Sequence, residues 1–212
     1  MINELEQMKM GKIFYVMGKS ASGKDTIYKR LLEMQPQLKQ VVLYTTRPIR
    51  EGEKDGKEYY FTSEDRLMQL REEGKIIEER TYQSVLGPWT YFTVDDGQID
   101  VNNDDSYLMI GTLESYEKTR NYYGAGIMVP IYIEVEDRKR LLRALDREDK
   151  QKEPKYAELC RRYLADEEDF KEDNLIRCGI KRRFLNDDLE MCLRDILEVV
   201  RGKVVHALDG LG

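Results

Sequence analysis

The sequence is short of the residues on which several kinds of protein depend. Its 212 residues include one histidine, three cysteines, one tryptophan and five prolines. A lone His206 excludes chemistry built on histidine acid–base pairs and reads as a solvated surface group. Cys160, Cys178 and Cys192 are an odd number without metal-ligand spacing, so they point to reduced thiols in a cytoplasm rather than to a disulfide framework or a zinc cluster. No apolar run reaches the roughly 18 residues that a membrane helix needs. The opening stretch Met1–Lys12 is polar and mixed in charge, so no signal peptide is expected. A basic excess is missing too: 35 Lys and Arg stand against 41 Asp and Glu, a net charge of −6. General nucleic-acid binding prefers a basic face, so no nucleic-acid partner is expected. Any anion site must be a local cluster of Arg and Lys in an acidic chain.

What is present suits an enzyme. Hydrophobic residues make 41% of the chain and charged residues 36%. The length is enough for one α/β domain with a sizeable core and small insertions. The apolar run Ile13–Met17 leads directly into Gly18-Lys19-Ser20-Ala21-Ser22-Gly23-Lys24-Asp25-Thr26. This is a strand entering the G-x-x-x-x-G-K signature of a phosphate-binding loop. Gly18 and Gly23 allow the backbone to turn successive N–H groups of Ser20, Ala21 and Ser22 toward one point, and the following helix adds its positive dipole end. Lys24 supplies an ammonium for the β- and γ-phosphates of a nucleoside triphosphate. The usual Ser or Thr after the lysine is Asp25 here, followed by Thr26. Thr26 is the candidate Mg²⁺ contact. Asp25 either binds Mg²⁺ through water or weakly repels phosphate.

Periodicity and punctuation predict the elements. Strands are expected at 12–17, 40–45, 58–61, 75–82, 89–94, 106–111, 127–135 and 181–185. Helices are expected at 23–34, from the Ser63 cap to Glu72, and at 113–122. A charged helical region follows over 137–147, breaks at 148–154 and resumes to Lys171; a last helix covers 187–200. The stretch 95–105 is acidic without EF-hand spacing and reads as a solvated turn. Met1–Gly11 reads as a short helix or a loose arm, and the Gly-rich end as frayed. The alternation predicts an α/β parallel sheet with helices on both faces. A small mixed or antiparallel patch over 43–94 interrupts it as an inserted subdomain, and the broken helix is a second excursion placed like a lid.

A second anion cluster lies in Thr45-Thr46-Arg47-Pro48-Ile49-Arg50-Glu51-Gly52-Glu53 and the following Tyr59. Arg47 and Arg50, three apart in a loop, and Tyr59, nine further on, can converge on one phosphate. Together with the phosphate loop, this block resembles the T-T-R-x-P-R-x-G-E block of the guanylate kinase family, with one residue fewer between Arg47 and Pro48. The resemblance runs over about 12–200 in order and implies a P-loop NTPase-type domain spanning 1–212. Within it, 43–94 would be the NMP-binding subdomain and 144–162 the lid. It implies ATP and Mg²⁺ as cofactors and transfer of the ATP γ-phosphoryl group to GMP or dGMP. The implied partners are therefore nucleotides, with no membrane, for a cytoplasmic monomer or homodimer.

The same resemblance implies roles. Arg47, Arg50, Tyr59 and Tyr91 would hold the GMP phosphate. Glu78 would accept from guanine N1–H and N2–H, donors that adenine lacks, and Thr93 would contact the base. Arg143, Arg147 and Arg162 would close onto the transferred phosphoryl group, and Asn186 would lie near the donor adenine. Two departures stand out. Leu43 occupies the place of a family serine that contacts guanine, and Tyr107–Leu113 has no aspartate where the family carries an I-L-D-I-D pattern. The stretch between Tyr82 and Trp89 also reads as a loop longer than the family's. These departures keep two alternatives open: another nucleotide or small phosphorylated acceptor, and a non-catalytic binding module.

Overall fold

In the computed structural model, residues 11–84 and 87–202 are described; His206, the N-terminal arm and the C-terminal tail lie outside them. The strands are β1 (Ile13–Met17), β2 (Lys39–Gln40), β3 (Tyr44–Thr45), β4 (Tyr60–Phe61), β5 (Ile76–Ser84), β6 (Gly87–Val94), β7 (Tyr107–Gly111), β8 (Met128–Glu134) and β9 (Arg183–Leu185). The helices are α1 (Lys24–Met34), α2 (Glu64–Glu72), α3 (Leu113–Tyr123), α4 (Asp137–Asp149), α5 (Tyr156–Asp169), α6 (Glu172–Arg177) and α7 (Leu189–Val200). A parallel five-stranded sheet has the order β2-β7-β1-β8-β9, and a mixed four-stranded sheet the order β4-β3-β6-β5. No described helix is long and apolar enough to cross a membrane.

The chain divides into two compact units. The first comprises residues 11–13, Gln37–Met109 and Ser115–Met128. Its four-stranded sheet pairs β3 with β4 in parallel, and β3 and β5 with β6 antiparallel. Leu67, Leu70, Phe92 and Val94 form its buried cluster, with Tyr44 and Ile76 against it. Helix α2 begins where the sequence places it: Ser63 Oγ accepts from Arg66 N–H at 3.2 Å. The second unit comprises Phe14–Pro36, Ile110–Glu114 and residues 129–202. Its buried residues include Phe14–Met17, Ile27, Leu31, Ile131, Ile133, Phe184, Leu193 and Ile196. Asp188 caps α7, accepting from Met191 N–H at 2.8 Å.

Four sequence expectations need correction. The expected strand 40–45 splits: Lys39 and Gln40 pair with Tyr107 and Leu108, whereas Tyr44 and Thr45 pair with Phe92 and Tyr91. The apolar residues Val41–Leu43 are buried on the way from one sheet to the other. The expected loop between Tyr82 and Trp89 is largely strand, since pairing continues to Ser84 opposite Gly87; Val85 and Leu86 lie outside the described residues. The strand expected at 58–61 is paired at Tyr60 and Phe61, preceded by a bridge between Asp55 and Tyr59. Helix α5 stops at Asp169, and Asn174 Nδ2 takes the carbonyls of Glu168 and Asp169, both at 3.1 Å, as the short α6 begins. None of the three cysteines is in a disulfide, and burial pushes the Cys192 thiol up to about 12, so it stays protonated.

Candidate functional site

In the second unit the buried β1 delivers the chain into the glycine-rich loop. Both of its glycines are required by geometry. A Cβ on Gly18 would stand 2.6 Å from the Ile133 carbonyl oxygen, and Gly23 combines φ +87° with a would-be Cβ 2.4 Å from Asn186 Nδ2. Ala21 sits at φ 62°, the one non-glycine residue with positive φ among those described. Such strain persists where the surroundings over-determine it, and it collects at ligand sites. The surroundings here are identifiable. Ser22 N–H donates to the Lys19 carbonyl at 3.2 Å, and Asn186 Nδ2 donates to the Ser22 carbonyl at 2.8 Å. Asn186 is itself held by its N–H on the Glu134 carbonyl and by Arg143 Nη2 on its own carbonyl. Asn186 and Arg143, expected near adenine and phosphoryl respectively, thus brace the loop from behind.

Lys24 opens α1, and its Nζ lies 3.3 Å from Asp25 Oδ2. Asp25 and Thr26 are exposed on the first helical turn. The buried Ser22 Oγ has no hydrogen-bond partner. Acidic residues of α5 meet the loop's other end. Ser20 N–H donates to Asp166 Oδ2 at 2.7 Å, and Lys19 Nζ bonds Glu167 at 2.8 Å. Between them sits Arg140, 1% exposed, bonded to Asp137, Asp166 and Glu167 and lying 4.1 Å from the Tyr163 ring centroid. A cavity of about 400 Å³ opens beside Lys19, Ser22, Tyr132, Asp137, Arg140 and Asp187. Arg147 and Arg162 share a smaller recess with Ser20 and Arg140. Arg162 Nε is buried without a hydrogen bond, 3.6 Å from Glu158.

In the first unit, a different group gathers on the four-stranded sheet and the loop after β3. The Arg47 guanidinium is 3% exposed. Its two terminal nitrogens fork onto Glu53 at 3.0 and 2.8 Å, and Nη1 also reaches the Pro48 carbonyl. Tyr59 and Phe61 present rings at 5.6 and 5.4 Å from Arg47, while its buried Nε has no hydrogen-bond partner. The hydrogen bonds from Arg47 hold the Glu53 carboxyl below its ordinary value. Tyr91 lies 5.5 Å from Tyr59, ring to ring. Arg50 does not join through its side chain, which is exposed; its backbone N–H donates to Glu53 at 2.8 Å.

Two residues along β6 from Tyr91 is Thr93, opposite Glu78. Thr93 Oγ1 donates to Glu78 Oε1 at 2.7 Å, and Arg80 Nε donates to Glu78 Oε2 at 3.2 Å. The structure therefore gathers Arg47, Tyr59 and Tyr91, and beside them Glu78 and Thr93. Sequence reading missed Glu53, Arg80, Arg140 and Asp166. Arg80 had a local signal: two residues from Glu78 on a strand, it shares its face. Arg140 and Asp166 had none, because their pairing spans 26 residues.

Comparison with known proteins agrees with the fold. A family described as guanylate kinase matches residues 10–171. A guanylate kinase of Legionella pneumophila (strain Lens) is 38% identical over 79 residues, 37% of this chain and 36% of that protein. One from Ruegeria pomeroyi is 34% identical over 112 residues, 46% of this chain and 53% of that protein. The matched segment thus spans little more than a third of the first relative's length and about half of the second's. The crystal structure of guanylate kinase from Anaplasma phagocytophilum superposes with a TM-score of 0.63 at 21% identity, covering 94% of this chain and 89% of that one. At that identity the likeness is one of fold.

Proposed function

The chain belongs to the guanylate kinase family, and on that premise we propose that it transfers the γ-phosphoryl group of ATP to the phosphate of GMP or dGMP, giving ADP and GDP or dGDP. The acceptor oxygen is already anionic, so no general base is needed. Catalysis reduces to placing two polyanions in line and neutralising charge. In this reading Lys24 and the amides of residues 20–24 bind the ATP phosphates. Asp25 and Thr26 supply hard oxygen donors on the first turn of α1, a set that suits Mg²⁺, which keeps most of its waters and leans on substrate phosphates. When bound, Mg²⁺ would neutralise phosphate charge. Arg47, Tyr59 and Tyr91 receive the acceptor phosphate, the exposed Arg50 side chain on the same loop turns in to join them, and Glu78 with Thr93 receives the base. Arg143, Arg147 and Arg162 belong to the lid region 144–162 and its approach. Nucleotides are the expected partners, with no nucleic acid and no membrane, for a monomer or homodimer in the cytoplasm.

One observation carries the reading: a phosphate-type cluster of Arg47, Tyr59 and Tyr91 adjoins a fully buried Glu78 carboxylate held by Thr93 on one ladder. The test is an ADP-release assay with ATP against GMP, dGMP, AMP, UMP and CMP. Preference for GMP and dGMP is expected; equal turnover of all five, or none, overturns it.

A further inference from the structure

Resting on the donor half of that reading, we propose that Arg140 is a positioning residue for the ATP triphosphate: it is the counter-ion that lets two carboxylates of α5 release the phosphate loop. Ser20 N–H donates to Asp166 Oδ2 at 2.7 Å, and Lys19 Nζ bonds Glu167 at 2.8 Å. A triphosphate seated on the loop draws on the same N–H and the same ammonium. Lys19 can be reached, since its side chain is 17% exposed and lines the cavity of about 400 Å³. Asp166 and Glu167 then lose one donor each. They are left beside a polyanion, where an uncompensated carboxylate is costly.

Arg140 is placed to make good that loss. It lies buried on the first turn of α4. Nη1 donates to Asp166 at 3.4 Å, and Nη2 donates to Asp137 at 3.1 Å and to Glu167. A guanidinium carries five N–H donors. Three of them are engaged in these bonds, and the buried Nε has no partner. The guanidinium therefore has capacity to spare where Asp166 and Glu167 give up Ser20 and Lys19. It is also fixed independently of them. The Tyr163 ring centroid on α5 lies 4.1 Å away, a cation–π contact that survives any turn of the carboxylates. The charge balance shows the need. Lys19 and Arg140 together face three carboxylates, Asp137, Asp166 and Glu167. Once Lys19 turns to phosphate, Arg140 is the cation of this cluster that stays with them.

The test is calorimetric titration of the full chain with ATP and Mg²⁺, at a temperature where circular dichroism shows each variant folded. It compares the wild type, Arg140→Gln, and Arg140→Gln combined with Asp166→Asn and Glu167→Gln. Loss of the charge-assisted counter-ion is expected to weaken ATP binding about 10- to 100-fold in Arg140→Gln. The triple variant has no α5 carboxylate left to neutralise at the loop, so its ATP affinity should return to the wild-type value or better. Steady-state rates give a second readout. KM for ATP should rise in Arg140→Gln while KM for GMP stays within about twofold, because the acceptor groups share no partner with Arg140. If Arg140→Gln does not fold, Arg140→Lys carries the comparison. It keeps the charge without the fork, so a loss of about threefold, abolished by the same two substitutions, is expected. A merely structural Arg140 would lower the melting temperature and leave the ATP affinity of the folded chain where it was; that result overturns the proposal. So does a loss that persists in the triple variant. A wild-type chain that takes up no ATP sinks the donor reading itself, a different result from either.

Discussion

Arg47 holds its charge at 3% exposure between Glu53 and two aromatic rings. Breaking its fork leaves a buried guanidinium short of its counter-charge. Glu53→Gln is expected to cost about 1.5–3 kcal/mol in urea unfolding, the range for a hydrogen bond to a charged group. The linkage has a definite sign. The folded chain holds the Glu53 carboxyl below its ordinary 4.5. The stabilisation is complete above that pH and is lost as pH falls through the lower folded value. Stability of the wild-type chain should therefore drop more steeply below pH 4.5 than that of Glu53→Gln. Lys24 belongs to the same scale. Removing an electrostatic clamp of this kind costs about 100- to 1,000-fold in kcat, so Lys24→Ala should lose that much phosphotransfer in the ADP-release assay. Both glycines and Lys24 were legible in the sequence because their spacing is local. Glu78 was singled out over Glu79 by the family resemblance, whereas strand alternation by itself does not choose between them. The bulge between Ile76 and Glu78 sets the phase, sending Glu78 into the row with Thr93 and Glu79 out to Arg71.

Helix α5 carries its own consequence. Asp166 accepts from the Ser20 N–H in the phosphate loop, and Glu167 holds Lys19. A polyphosphate that draws on the same donors competes with these carboxylates. Asp166→Asn weakens the internal competitor, so ATP should bind more tightly, by about tenfold on the scale of one charge-assisted hydrogen bond. Calorimetric titration with ATP and Mg²⁺ checks it; weaker binding by the variant would show that Asp166 supports the loop instead. At this scale the sequence read the helices better than the strands. The break between α4 and α5 was visible from Pro154 and the charged residues before it. The split at 40–45 was not, since an unbroken apolar run hides the point where the backbone leaves one ladder for another. The extension of β5 and β6 to Ser84 and Gly87 was missed because Gly87-Pro88 reads as a loop, although Pro88 takes its place in the ladder opposite Gln83.

The whole chain is acidic, with net charge −6, yet it gathers cations at a few loops. Its α/β class was legible because strand and helix periods alternate over most of its length. An inserted subdomain over 43–94 was expected, but the gathering of Gln37–Met109 with Ser115–Met128 into one compact unit was not, for it depends on which distant segments meet. A ligand that binds the folded state alone stabilises it by about 2.7 kcal/mol at a concentration of 100 Kd. For a chain of this size that is about 5–10 °C in Tm. ATP with Mg²⁺ should produce such a shift in differential scanning fluorimetry, and Lys24→Ala should reduce it sharply. An unmoved transition in the wild-type chain would count against nucleotide binding altogether.

The brace from Asn186 to the Ser22 carbonyl joins residues 164 positions apart. During synthesis, β1 and α1 leave the ribosome before the side chain that fixes the loop between them. The loop therefore lacks this brace until 164 further residues have been added.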